Sequence, residues 1–142
     1  MKDIQLSKHF WLSEFIVSQR ATRIGINNSP TKEVLKNLIV TAAHMEYVRK
    51  LLGNYPITPS SVYRSPELNE KTPGSSPTSA HMTGFAVDFA CPRYGTPREV
   101  WEYLSLSSEI HFDQLILEFN DWVHISFDPQ LRGQVFTIGS GT

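Results

Sequence analysis

Leu35, Leu38, Ala42, Met45, Val48 and Leu52 recur at three- and four-residue steps, the spacing that puts one apolar stripe on a long helix. Such a helix must turn its stripe toward a core. Ser29 followed by Pro30 reads as an N-cap ahead of a first-turn proline, whose missing N–H costs nothing there. Gly53 stands where a left-handed residue ends a helix. A second helix opens at Thr96-Pro97-Arg98-Glu99, a capping-box pattern, and runs through Val100, Trp101, Tyr103 and Leu104. Phe10 to Ser18 reads as a short, half-buried helix opened by Ser13.

The strands come mostly later. Ile57 to Tyr63 reads as one, and Pro59 makes it an edge or irregular strand. Thr72 to Ser79 is too rich in Pro, Gly and Ser to be anything but loop. Gly84 to Ala90, Asp113 to Phe119 and Trp122 to Phe127 are better strands, the last two separated by the hairpin signal Asn120-Asp121. Helices first and hairpin-linked strands later predict an α+β domain, an antiparallel sheet with helices packed on one side. At 142 residues and 40% hydrophobic content, residues 1–142 are expected to form one domain with a sizeable core.

Charge and composition exclude several functions. Thirteen Lys and Arg against fourteen Asp and Glu, with no run of either sign, argue against a nucleic-acid partner. No apolar run approaches the ~20 residues of a membrane helix. The first nine residues hold no apolar stretch of the secretory kind, so synthesis in the cytoplasm without a signal peptide is expected. The single cysteine, Cys91, allows no internal disulfide.

The histidines are His9, His44, His81, His111 and His124. His81 follows the loop and precedes Gly84-Phe85-Ala86-Val87-Asp88-Phe89-Ala90. In a strand, Phe85, Val87 and Phe89 claim the core, and the other face carries only small residues around Asp88. Either that face makes room for something, or Asp88 merely ends a strand at the surface. His124 sits on a strand between apolar residues, where burial lowers its pKa and favours the neutral, metal-binding form. The alternative is a core histidine bonded to a backbone carbonyl. Glu118 ends the apolar run Leu115-Ile116-Leu117. A carboxylate there needs a partner, either a cation or metal-bound water, or an arginine in a structural ion pair. Two histidines, an aspartate and a glutamate match in type and number a catalytic zinc site, with three protein ligands, one water and a carboxylate base. The HExxH pattern is absent and the four residues are scattered along the chain.

Ser79-Ala80-His81-Met82-Thr83-Gly84-Phe85-Ala86-Val87-Asp88 resembles the SxHxxGxAxD motif of zinc D-alanyl-D-alanine carboxypeptidases and related peptidoglycan metallopeptidases. Trp122-Val123-His124 resembles that family's second histidine motif, and Tyr63-Arg64-Ser65 with Leu68-Asn69 its arginine-bearing segment. Leu12-Ser13-Glu14-Phe15 and Gly25-Ile26-Asn27-Asn28-Ser29-Pro30 are similar to small, often phage-encoded members. The resemblance implies a hedgehog/D-Ala-D-Ala peptidase-like fold. It implies that His81, Asp88 and His124 hold Zn2+, with Glu118 as general base. Arg64 would bind substrate and polarise the scissile carbonyl or stabilise the developing oxyanion, and Ser79 would help to position substrate. The implied substrate is the peptidoglycan stem peptide, cut as a carboxypeptidase or endopeptidase by a monomer that reaches the wall after release during lysis. Val62 and Pro59 depart from the family pattern before the Tyr-Arg pair.

A plain two-residue turn at Asn120-Asp121 would put Glu118 and His124 on opposite faces. Convergence on one metal therefore predicts a three-residue loop or a bulge that sets residue 118 opposite 124. Two other functions compete: a non-catalytic cell-wall or protein-binding module on the same fold, and a cysteine hydrolase using Cys91. His9, His44 and His111 receive no role, although His111 is near enough in sequence to be a site neighbour.

Overall fold

The computed structural model describes residues 2–139. Its helices are α1 (Leu12–Ile16), α2 (Gln19–Ile24), α3 (Lys32–Leu51), α4 (Pro66–Glu70) and α5 (Pro97–Leu106). Its strands are β1 (Thr58–Ser61), β2 (Ala86–Ala90), β3 (Gln114–Glu118), β4 (Trp122–Ser126) and β5 (Gln134–Ile138). The five strands form one sheet in the order β1-β2-β4-β3-β5. The α+β expectation holds.

Strand alternation divides the sheet into two faces. Val87 and Phe89 on β2, Leu115 on β3, and Val123 and Ile125 on β4 join the core, together with Leu38, Ala42, Met45 and Val48 of α3 and Val100 and Leu104 of α5. Both long helices thus cover the same side. Asp88, His124 and Glu118 occupy alternate positions and belong to the other face.

Helix ends follow local chemistry. α5 begins as its sequence predicts: Thr96 Oγ1 accepts from the Glu99 N–H at 3.2 Å, and Glu99 returns a carboxylate to the Thr96 N–H at 2.9 Å. α3 begins two residues later than expected, because Thr31 and not Ser29 is the cap, its hydroxyl accepting from the Val34 N–H. The Ser29 N–H is already taken by the Asn27 side chain, which makes residues 27–29 a turn. In α1, Ser13 lies inside the first turn instead of opening it; its N–H and hydroxyl both go to Asp3.

The strand expectations hold for β1 to β4. β1 is an edge strand whose pairing with β2 slips between Pro59 and Ser61, leaving Ser60 as the extra residue of a bulge. The sheet departs from all-antiparallel pairing at β5, which runs parallel to β3. Residues 127–133 pass the start of β3 and let β5 join on its far side. Arg132 fixes that passage, donating from Nε and Nη2 to the buried Asp113 carboxylate at 2.9 and 2.8 Å. β5 is largely exposed, so it lacks the apolar–polar alternation that marks a strand in sequence. No helix among the described residues is long and apolar enough to cross a membrane.

Candidate metal centre

Asp88 and His124 are directly paired across β2 and β4. His81 comes from a 3₁₀ turn, Ala80–Thr83, just before β2. Gly84 closes that turn at φ 84°, and a Cβ there would lie 3.2 Å from Leu38 Cδ2 and 3.3 Å from Val34 Cγ1. Its small size therefore serves the turn and the approach to α3, not space around Asp88.

The three side chains meet at one point. Asp88 Oδ1 lies 3.2 Å from His81 Nε2 and 2.9 Å from His124 Nδ1. The potential ligand atoms all fall within 4.8 Å of one another. A tetrahedral ion with bonds of about 2.0–2.1 Å needs its ligand atoms roughly 3.4 Å apart, so a small shift seats one. Both imidazoles are buried, at 2% and 8% exposure, and their planes are nearly perpendicular at 71°. His81 Nδ1 lies 2.6 Å from the Val62 carbonyl. A carbonyl only accepts, so Nδ1 carries the proton and Nε2 turns its lone pair to the site, the arrangement expected of a metal-bound histidine.

Burial alone would raise the Asp88 pKa, but the two imidazoles hold it well below the usual carboxylate range. Burial would lower the His124 pKa, as the sequence suggests, but the hydrogen bond and charge of Asp88, with Glu118 behind it, raise it instead.

Glu118 is near the cluster but outside it, its Oε1 3.8 Å from His124 Nδ1. β3 and β4 are joined by three residues, Phe119-Asn120-Asp121, so Glu118 pairs with Trp122 and Ile116 with His124. The longer loop is present, but the register differs from expectation: Glu118 is diagonal to His124 on the shared face, not opposite it. Phe119 and Asn120 both adopt φ 55° to make the turn. For Phe119 that conformation is strained, offset by its ring against Trp122 at 5.4 Å and its N–H to the Ile138 carbonyl at 2.7 Å. Burial, then the Asp88 charge, raises the Glu118 pKa. The Trp122 indole N–H beside it acts the other way, favouring the carboxylate.

Arg64 supplies a cation. Burial lowers its pKa, and the charges of Asp88 and Glu118 act the other way, which places it within electrostatic reach of both. Its Nη2 donates to Ser79 Oγ at 3.1 Å, its backbone N–H donates to the His81 carbonyl at 3.1 Å, and its Nε is buried with no acceptor. Ser79 Oγ also takes the His81 N–H at 3.2 Å. Ser79 thus links the arginine to the ligand turn.

Asn28 is a positioning residue that sequence reasoning passed over. Its amide donates to the Ile16 and Tyr63 carbonyls at 2.8 and 3.0 Å, and its Oδ1 accepts from the Ser65 N–H at 2.8 Å. The Tyr63 N–H in turn reaches the Phe15 carbonyl. The N-terminal segment therefore braces both sides of Arg64. Buried Asn69 ties down the loop before Ser79, donating to the Ser76 carbonyl at 2.9 Å. Only their place within the quoted 25–30 and 63–69 segments could have drawn attention to either.

The other histidines stand apart. His44 stacks on Phe127 at 4.5 Å, His9 pairs with Glu46 at 2.6 Å, and His111 is exposed and outside the cluster. Cys91 is buried in the core, and burial pushes its thiol pKa up, against the thiolate a nucleophile needs.

Among curated proteins, none matches the chain. The sequence model of the Peptidase M15 family does, over residues 8–126, a span that includes His81, Asp88, Glu118 and His124 and stops short of β5. A match of that extent, over a sheet whose second face carries a His-Asp-His cluster, places this chain in the Peptidase M15 family.

Proposed function

We propose that this protein is a zinc-dependent peptidase acting on the peptide part of bacterial peptidoglycan, as a D-Ala-D-Ala carboxypeptidase or an endopeptidase. The observation that carries this reading is the convergence of His81 Nε2, His124 Nδ1 and Asp88 Oδ1 on one point, with Glu118 beside them and outside the ligand set. Bound zinc supplies Lewis-acid polarisation of the scissile carbonyl and lowers the pKa of the attacking water.

The remaining work falls to side chains. Glu118 takes the proton of the water as its oxygen bonds to the carbonyl carbon. It then returns that proton to the amide nitrogen as the carbon–nitrogen bond breaks, leaving a carboxylate and an amine. Its raised pKa suits a group that must both accept and release a proton. Arg64, held by Ser79 and partly buried, offers a fixed positive charge to the oxyanion. The Val62 carbonyl keeps the His81 imidazole oriented.

The test is mass analysis of purified peptidoglycan after digestion by the wild type and by Glu118→Ala, each loaded with zinc. New peptide ends from the wild type and none from the variant are expected. Identical products from both would remove Glu118 as base. No cleavage by either, with wall binding retained, would replace the peptidase by a binding module.

A further inference from the structure

Beside the metal centre, and lined by none of its three ligands, is a cavity of about 490 Å³. It lies among α2, β1 and the start of α4, and its polar lining includes Ser18, Arg20, Ser60, Ser61, Arg64 and Thr72. No aspartate or glutamate lines it. Two arginines from separate elements, Arg20 of α2 and Arg64 before α4, line this acid-free cavity. The charges of Asp88 and Glu118 reach Arg64, whereas the Arg20 side chain has no hydrogen-bond or ion-pair partner among the described residues. An anion entering the cavity therefore meets a guanidinium without a counter-charge.

The cavity also lies where a substrate would enter. Ser61 pairs with Asp88, and Ser60 Oγ bonds to the Asp88 carbonyl at 3.2 Å, so the cavity is one strand from a metal ligand. β1 is the edge of the sheet, the position at which an extended peptide can add as a further strand. Arg64 borders both spaces.

We propose that Arg20 is a specificity-determining residue that receives a carboxylate of the substrate in this cavity, while the adjoining peptide bond lies at the metal centre. The inference rests on the peptidase reading and narrows it to acidic stem peptides. Guanidinium binds carboxylate in a planar, two-point geometry, which Lys matches only as a point charge. The carboxylate can be the free C-terminus of the stem or the α-carboxylate of its γ-linked D-glutamate.

The experiment uses three synthetic stem pentapeptides: one with both carboxylates free, one amidated at the C-terminus and one amidated at the glutamate. Each is tested with zinc-loaded wild type, Arg20→Gln and Arg20→Lys. Arg20→Gln is expected to raise KM for the fully acidic peptide by ~10-fold or more, with kcat changed far less and zinc content unaltered. Arg20→Lys is expected to recover part of the loss. Amidation at the recognised carboxylate should erase the difference between wild type and Arg20→Gln, which identifies the group. A difference that survives both amidations, or no difference at all, overturns the proposal.

Calorimetric binding of the same peptides to Glu118→Ala, with and without Arg20→Gln, separates the two claims. Absence of cleavage by the wild type would defeat the peptidase reading. Carboxylate-dependent binding through Arg20 would stand or fall in that titration.

Discussion

The backbone N–H of Arg64 donates to the carbonyl of His81, 3.1 Å away, so the site's cation and one of its candidate ligands are joined through main chain. Asn28 holds the neighbouring residues of the same segment, and Ser79 Oγ accepts from both the Arg64 guanidinium and the His81 backbone N–H. The cation's position is thus set from the N-terminal third of the chain.

Asn28→Ala should therefore impair catalysis without emptying the metal centre. Three hydrogen bonds are lost: the Ile16 and Tyr63 carbonyls lose their donor and the Ser65 N–H loses its acceptor. A stability loss of about 1–3 kcal/mol is expected in urea titrations. kcat should fall ~10-fold or more as Arg64 drifts, while zinc content stays at the wild-type level. A variant with normal kcat would refute the bracing role.

Metal removal should act on stability as well as turnover. An ion bound only by the folded chain stabilises by mass action, about 2.7 kcal/mol at one hundred times its Kd. Chelation is expected to abolish cleavage and lower Tm, and added zinc to restore both. In Asp88→Ala and His81→Ala, zinc should leave Tm unmoved. A wild-type Tm indifferent to zinc would contradict the ligand assignment.

Asp113 predicts a pH dependence away from the site. Its hydrogen bonds to Arg132, against the cost of burial, hold its pKa below the ordinary value of 3.8. A carboxylate depressed in the folded state contributes stability above its unfolded pKa, and the contribution is lost as pH falls through the folded value. Asp113→Asn should cost about 2–3 kcal/mol at pH 7. That gap should narrow below pH 4 as the wild type protonates, as read from urea unfolding at several pH values. A gap constant from pH 7 to pH 3 would sink the linkage.

Much of this architecture was legible in the residues because local rules and tertiary packing agree. The Leu35–Leu52 stripe, the Thr96–Glu99 box and the alternation at Val87-Asp88-Phe89 each state their element and their buried side. What was hidden depends on partners distant in sequence. The cap is Thr31, whose hydroxyl takes the Val34 N–H, while residues 27–29 form a turn on the Asn27 side chain. The loop length at 119–121 rests on a phenylalanine with positive φ, a conformation its side chain disfavours. β5 is specified by pairing with β3 and by the Arg132–Asp113 link, neither of which leaves a periodic trace. The rise in the His124 pKa follows from Asp88 lying across the ladder, which no window around Trp122-Val123-His124 contains.

The alternation of side chains along β2 and β4 has a consequence for how such a protein can change. Phe89 and Val123 are neighbours of Asp88 and His124 in sequence but point into a separate compartment. Residues that pack the core and residues that form the metal centre are interleaved one by one on opposite faces of these strands. A library randomised only at site-facing positions should therefore yield mostly soluble, folded variants. Chemistry on this scaffold is free to diversify faster than the body that carries it.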